Sequence, residues 1–154
     1  MSDAQHSRLL IVGQDKAEPF RSQIGKLGLA DRVSFLGGRD DVPRFLLGAD
    51  LLIHPAYIEN TGTVLIEAIA AGLPVLASQI CGYAGYVADA GAGKLIAVPF
   101  VQETMNAQLA TMLDRRELSV WQNNALNYAR SADIFSLPEK AADLIESIGR
   151  RKMS

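Results

Sequence analysis

One cysteine, Cys81, stands among the 154 residues, which excludes an internal disulfide framework and a multi-cysteine zinc site. No His or Cys neighbours it in sequence, so it lacks the partners of a catalytic thiol. Long apolar runs are also wanting: none approaches the roughly 20 residues that a bilayer-spanning helix requires. The opening MSDAQHS is polar and has no signal-peptide core. No sign of charge dominates, since 15 Lys and Arg face 17 Asp and Glu for a net charge of −2. Such a balance gives no global field for nucleic acid or an anionic lipid surface. Repeats, low-complexity segments and long linkers are missing as well. What remains, 49% hydrophobic and 21% charged residues, is the make-up of one globular domain with an adequate core. These absences predict a cytoplasmic domain with no nucleic-acid partner and no segment inserted in a membrane.

The chain is organised around Asp50 to Ser78, DLLIHPAYIENTGTVLIEAIAAGLPVLAS. This stretch reads as an apolar strand, a polar loop, an apolar helix, a Gly-Leu-Pro turn and a second apolar strand. Such a β-α-β unit carries parallel strands covered on both sheet faces. From Val64 to Ala71 every residue is Val, Leu, Ile or Ala except Glu67. A helix apolar all round predicts burial, and an ionised carboxylate there is costly unless something pairs with it. Glu59 supplies a second carboxylate just before the helix. Asn60 or Thr61 is the predicted cap, and Gly62 lets another molecule approach the backbone closely. The result is an anion-binding helix N-terminus with a carboxylate at its mouth. Glu67 lies roughly 7–10 Å further along the axis at 1.5 Å per residue, with its side chain leaning back toward that mouth.

Elsewhere, RLLIVG (Arg8 to Gly13) predicts a buried strand, and Gln14, Asp15 and Lys16 its following loop. A helix runs from Pro19 to about Leu27 and stops at Gly28. RVSFL (Arg32 to Leu36) is the second strand, with Gly37, Gly38 and Arg39 directly after it. Ligands of open parallel sheets gather where loops leave the carboxyl ends of strands, which puts Lys16, Gly37, Gly38 and Arg39 on the candidate side. Asp40 to Gly48 predicts a short helix, Gln79 to Ala90 a loop and short helix, and Lys94 to Val98 a last strand. Beyond Val101 the chain is helical: residues 101–114, Leu118 to Ala129, and a final helix opened by Pro138. That helix bears Ala141, Leu144, Ile145 and Ile148 on its apolar face. The basic Arg150, Arg151 and Lys152 at its end suit the helix dipole. Tyr83 and Tyr86, three apart, fit core packing better than a site. His54, at a strand end, fits a local hydrogen bond better than contact with a ligand.

Glu59 and Glu67, with seven residues between them, and the Gly72-Leu73-Pro74-Val75 turn resemble the E-x7-E region of retaining GT-B glycosyltransferases of family four. HPAYIENTGTVLIEAIAAGLPVLAS and CGYAGY look most like the lipopolysaccharide-core glucosyltransferases that add glucose to heptose. The resemblance spans nearly the whole chain but only the second half of such an enzyme. It implies an α/β fold with a Rossmann-like parallel sheet flanked by helices, and a donor nucleotide-sugar-binding domain over residues 1–154. Residues 132–154 would form a helix crossing to an absent N-terminal acceptor domain. It also implies that Glu59 is the catalytic-side acid against donor-sugar hydroxyls and Glu67 the ribose ligand. Asn60, Thr61, Gly62 and Thr63 would face the diphosphate, and Gly37, Gly38 and Arg39 the base. No Asp-x-Asp occurs in the sequence, so the metal-chelating signature of the GT-A class is missing and metal-independent transfer without a cofactor is implied.

Two departures qualify the resemblance. The acceptor-binding domain is not in the sequence, nor are the first strand and the basic diphosphate-gripping loop that open the donor domain in this family. Lys16 and Arg39 do not occupy the matching positions. The expectation is the UDP-hexose-binding half of a retaining glycosyltransferase of lipopolysaccharide core synthesis, inactive alone, its intact form peripheral at the inner membrane face. A subunit of a split enzyme and a non-catalytic nucleotide- or sugar-binding module remain open. In the doubly wound order 3-2-1-4-5-6 the missing strand would be central, between RLLIVG and DLLIH. That leaves three expectations: marginal stability with a gap about 4.8 Å from each neighbour, direct pairing of those strands, or self-association.

Overall fold

The computed structural model of the protein describes residues 7–14, 16–134 and 136–151; Met1 to His6, Asp15, Phe135 and Lys152 to Ser154 lie outside them. Among the described residues, five short strands and the first four helices alternate in the order predicted for parallel β-α-β units, and three further helices follow. Strand β1 (Leu9–Val12) pairs parallel with β2 (Val33–Gly37), Leu9 opposite Val33. Helix α1 (Glu18–Lys26) connects them, opened by Pro19 in its first turn and followed by Gly28 at φ 65°. Helix α2 (Val42–Gly48) then leads to β3 (Leu52–His54).

Strands β3, β4 (Val75–Ser78) and β5 (Gly93–Ile96) form a separate three-stranded parallel sheet with β4 in the middle. Helix α3 (Thr63–Ala70) joins β3 to β4, and α4 (Ala84–Asp89) joins β4 to β5. The last strand lies one residue earlier than predicted and ends two residues sooner, leaving Val98 exposed. Between β1–β2 and β3–β4–β5 there is no shared sheet. The direct pairing of RLLIVG with DLLIH, one of the three expectations, is therefore not what forms. The described strands form two separately hydrogen-bonded sheets instead.

Burial concentrates around β4. Its period-two alternation sends Val75 and Ala77 into a cluster with Leu65, Ala68 and Ile69 of α3 and Val87 of α4. Leu76 points the other way, against Ile96, Met112 and Trp121. Met112 belongs to α5 (Gln102–Met112) and Trp121 to α6 (Arg115–Ser131), so helices cover both faces of this sheet. Asp114 caps α6 by accepting a 2.9 Å bond from the Arg116 amide. The final helix, α7 (Leu137–Arg151), keeps Leu144, Ile145 and Ile148 exposed. Tyr83 and Tyr86 meet edge to face at 5.7 Å and pack against the core, as their spacing suggests. No described helix is long and apolar enough to cross a membrane.

Candidate functional site

The loop between β3 and α3 carries Glu59 half-buried at the entrance to the helix. One of its carboxylate oxygens accepts the backbone N–H of Asn60 at 2.8 Å. The other lies 3.0 Å from Nε2 of His54, the last residue of β3. The Asn60 amide, and after it His54, hold Glu59 below the usual carboxylate range, so it is ionised at neutral pH. His54 Nε2 must then carry the hydrogen and donate. Each carboxylate oxygen offers two lone pairs, so both retain acceptor capacity after these bonds. Vicinal hydroxyls match that pair of open acceptors.

The cap differs from expectation. Neither Asn60 nor Thr61 bonds its side chain to the helix; the cap is Gly62, left-handed at φ 70°. An added Cβ there would sit 3.4 Å from Cys81 Cβ and 3.6 Å from Glu59 Cγ. Gly62 is buried while Asn60, Thr61 and Thr63 are exposed. The first turn of a helix leaves backbone N–H groups without intrahelical acceptors, and here they open beside Glu59. Cys81 is buried, its thiol pushed up by desolvation and by the Glu59 charge, which leaves it a neutral packing residue.

Glu67 also departs from expectation. It is exposed on α3, four residues beyond Thr63 and so on the same side of the helix. Leu65, Ala68 and Ile69 form the buried stripe, and Val64, Ile66 and Ala70 are only half-covered. Apolar composition all round did not produce burial all round, so Glu67 pays no desolvation cost and needs no internal partner.

Gly37, Gly38 and Arg39 form a second cluster at the end of β2. Gly37 is left-handed at φ 68°, and Gly38 lies against the side chain of Gln14. The Arg39 guanidinium makes a two-pronged contact with Asp41, at 2.8 and 2.9 Å, and stands 5.4 Å over the Phe45 ring. This pairing holds Asp41 below its ordinary range and neutralises much of the charge that Arg39 would offer an anion. A shallow, open depression is lined by Gly38, Arg39, Asp40 and Asp41. Lys16 is exposed in the loop after β1. Among the described residues no group of three or more His, Cys, Asp and Glu could hold a metal ion.

Two supports of the Glu59 loop were not legible in the sequence. The Tyr83 amide donates to Thr61 O at 2.9 Å. A Cβ on Gly82 would stand 2.7 Å from Asn60 O, so the segment after β4 packs backbone to backbone on the loop. The available signal was the glycine itself, next to a tyrosine and outside any helix or strand pattern. The His54–Glu59 bond crosses a loop begun by Pro55, and only the folded chain shows which way that loop turns.

Residues 2–130 match the family Glycosyl transferases group 1. The lipopolysaccharide glucosyltransferase WaaG of Escherichia coli K12 is 51% identical over 143 residues, which are 92% of this chain and 38% of that protein. A crystal structure of WaaG superposes with a TM-score of 0.85 at 50% identity, covering the same shares of each chain. The Anabaena protein Alr3699/HepE, solved with UDP-glucose, is 28% identical with a TM-score of 0.75, over 91% of this chain and 41% of that one. The chain thus spans well under half the length of these relatives. With its parallel sheets flanked by helices as in GT-B glycosyltransferases, it belongs to the glycosyl transferases group 1 family.

Proposed function

We propose that this chain is the donor-binding half of a retaining hexosyltransferase that takes a UDP-sugar and acts in lipopolysaccharide core or related glycan synthesis. The observation carrying it is an ionised Glu59, fixed at the mouth of α3 with open acceptor positions, and an exposed Glu67 along the same helix. Glu59 accepts the donor-sugar hydroxyls, and Glu67 accepts the ribose hydroxyls. The α3 entrance, Asn60 to Thr63, lies against the diphosphate, where backbone N–H groups stabilise charge that grows as the glycosidic bond breaks. Gly37, Gly38 and Arg39 lie toward the base, Arg39 only after loosening from Asp41, and Lys16 at the periphery. The transfer uses no metal, because the helix entrance supplies the positive potential for the leaving group.

The similarity to WaaG supports the glycan class, and the UDP-glucose complex of HepE supports the nucleotide. The span of 38% of WaaG supports an acceptor-binding half on other sequence; in this reading α7 reaches toward that half, and the assembled enzyme works at the cytoplasmic membrane face. Calorimetry with UDP, UDP-glucose and the other nucleoside diphosphates tests the reading. Selective binding of the uridine ligands is expected, with Glu59→Ala weakening UDP-glucose more than UDP. Absence of any nucleotide binding would reduce the chain to a scaffold. Orientation across two domains is worth several kcal/mol of barrier, so the chain alone should transfer no glucose to a heptose acceptor.

A further inference from the structure

We propose that His54 is a positioning residue, which fixes the Glu59 carboxylate for the donor sugar by tying it to the end of β3. The inference rests on the reading of Glu59 as the sugar-contacting acid. Glu59 sits on a loop without regular structure, residues 55–62, whereas His54 belongs to a strand locked opposite Ala77 of the fully buried β4. A 3.0 Å bond from the half-buried imidazole to Glu59 therefore connects the loop end of the site to the strand beside its most buried element. The Asn60 amide cannot do this, since it belongs to the same loop as Glu59. Held from both sides, the carboxylate has few orientations open to it, and its remaining lone pairs point in set directions.

The division of labour is specific. Nε2 donates to one oxygen, the Asn60 amide to the other, and neither bond uses up an oxygen's acceptor capacity. Cys81 also lies near Glu59, and as a buried neutral thiol it adds no competing charge. The His54 side chain thus acts through Glu59 and does not itself touch the reacting atoms.

Three measurements on the 154-residue chain test this. In the ligand-free protein, the carboxyl carbon signal of Glu59 is titrated in wild type, His54→Ala and His54→Gln. His54→Ala should move the Glu59 titration upward toward the ordinary carboxylate range, and His54→Gln, which keeps an N–H donor, should move it less. An unmoved titration in His54→Ala overturns the proposal whatever the ligands do. Next, His54→Ala should weaken UDP-glucose binding roughly tenfold, the worth of a hydrogen bond to a charged group, while UDP binding stays unchanged and His54→Gln recovers most of the loss. Equal losses for both ligands, or no loss for either, overturn it. Finally, His54→Ala should add nothing in the Glu59→Ala background, and additive losses overturn it. If Glu59→Ala alone leaves UDP-glucose affinity intact, the sugar role of Glu59 falls, and with it the positioning role, while the titration still reports whether the two side chains are joined.

Discussion

Two strands of this chain, both rich in apolar residues, have opposite fates. LLIV of β1 and the first three residues of VLAS in β4 are both apolar runs of the kind that a parallel sheet covers on both faces. In β4, Val75, Leu76 and Ala77 are 0% exposed. In β1, Leu9, Leu10 and Ile11 are 44%, 49% and 36% exposed, and α1 buries no residue at all. The difference lies in neighbours: β4 has a strand on each side and helices on each face, whereas β1 is hydrogen-bonded to β2 alone. An apolar run states a capacity for burial; whether it is realised depends on a second layer.

The sharpest contrast should come from truncating each strand. Leu76→Ala should cost about 2–5 kcal/mol in denaturant unfolding, through lost transfer energy and a cavity. Leu10→Ala should cost no more than about 1 kcal/mol, since it removes a side chain already half in water. Equal costs would mean that β1 is as well enclosed as β4 and would break the comparison.

Next in size is a test of the α3 entrance with Glu59 and Glu67, which sits in the well-packed part. Glu67→Gln should weaken UDP-glucose by roughly 1.5–3 kcal/mol, the range for a hydrogen bond to a charged group. Its effect on unfolding should stay within about 0.5 kcal/mol, as for other exposed positions. Calorimetry and unfolding on the same samples check both halves. An unchanged affinity would remove Glu67 from the ribose.

A smaller effect should follow from the exposed β1 edge and from Leu144, Ile145 and Ile148 of α7. Exposed strand edges and apolar patches promote association. Sedimentation velocity should therefore show species larger than a monomer as concentration rises, and Leu10→Lys should reduce them. A strictly monomeric chain at all concentrations would mean that these surfaces are inert.

The smallest expected effect is at the α6–α7 connection. There Asp133 accepts the Ser136 amide at 3.0 Å and also contacts Lys140 Nζ and Ser136 Oγ. Lys140 first, then Ser136, lowers Asp133 from an ordinary 3.8 to about 2. A carboxylate depressed on folding contributes stability above its unfolded value that fades as pH falls through the folded one. The start of α7 should lose helicity between about pH 4 and pH 2, seen by circular dichroism. Asp133→Asn should lack that step; a step that persists in it would assign the change elsewhere.

Much of the packed half was legible before any coordinates. The apolar run around Val75, the Gly-Leu-Pro turn and the helical period of residues 101–114 report local geometry, and local geometry survived folding. The exposure of Glu67 was not legible, because composition says which faces of α3 can be buried and not which neighbours arrive. Gly62 displaced Asn60 and Thr61 as cap because a left-handed residue already turns the chain into the helix. The local hydrogen bond expected of His54 is there, but its partner Glu59, like the Arg39–Asp41 pair, was hidden for a related reason. Both depend on side-chain direction at strand ends, where no sequence period applies.

The contact of Gly82 with Asn60 bears on how a donor would be met. With the Tyr83 amide bonded to Thr61 and the Gly82 backbone lying against the loop, the residues around Glu59 are already ordered in the ligand-free chain. Ordering a loop at the moment of binding subtracts conformational entropy from affinity. Here that loss falls on folding instead, so association should proceed without a slow rearrangement step and with a small entropic penalty. A side chain at position 82 would transfer the cost back to binding, by prying the loop from its support without touching any atom of the ligand.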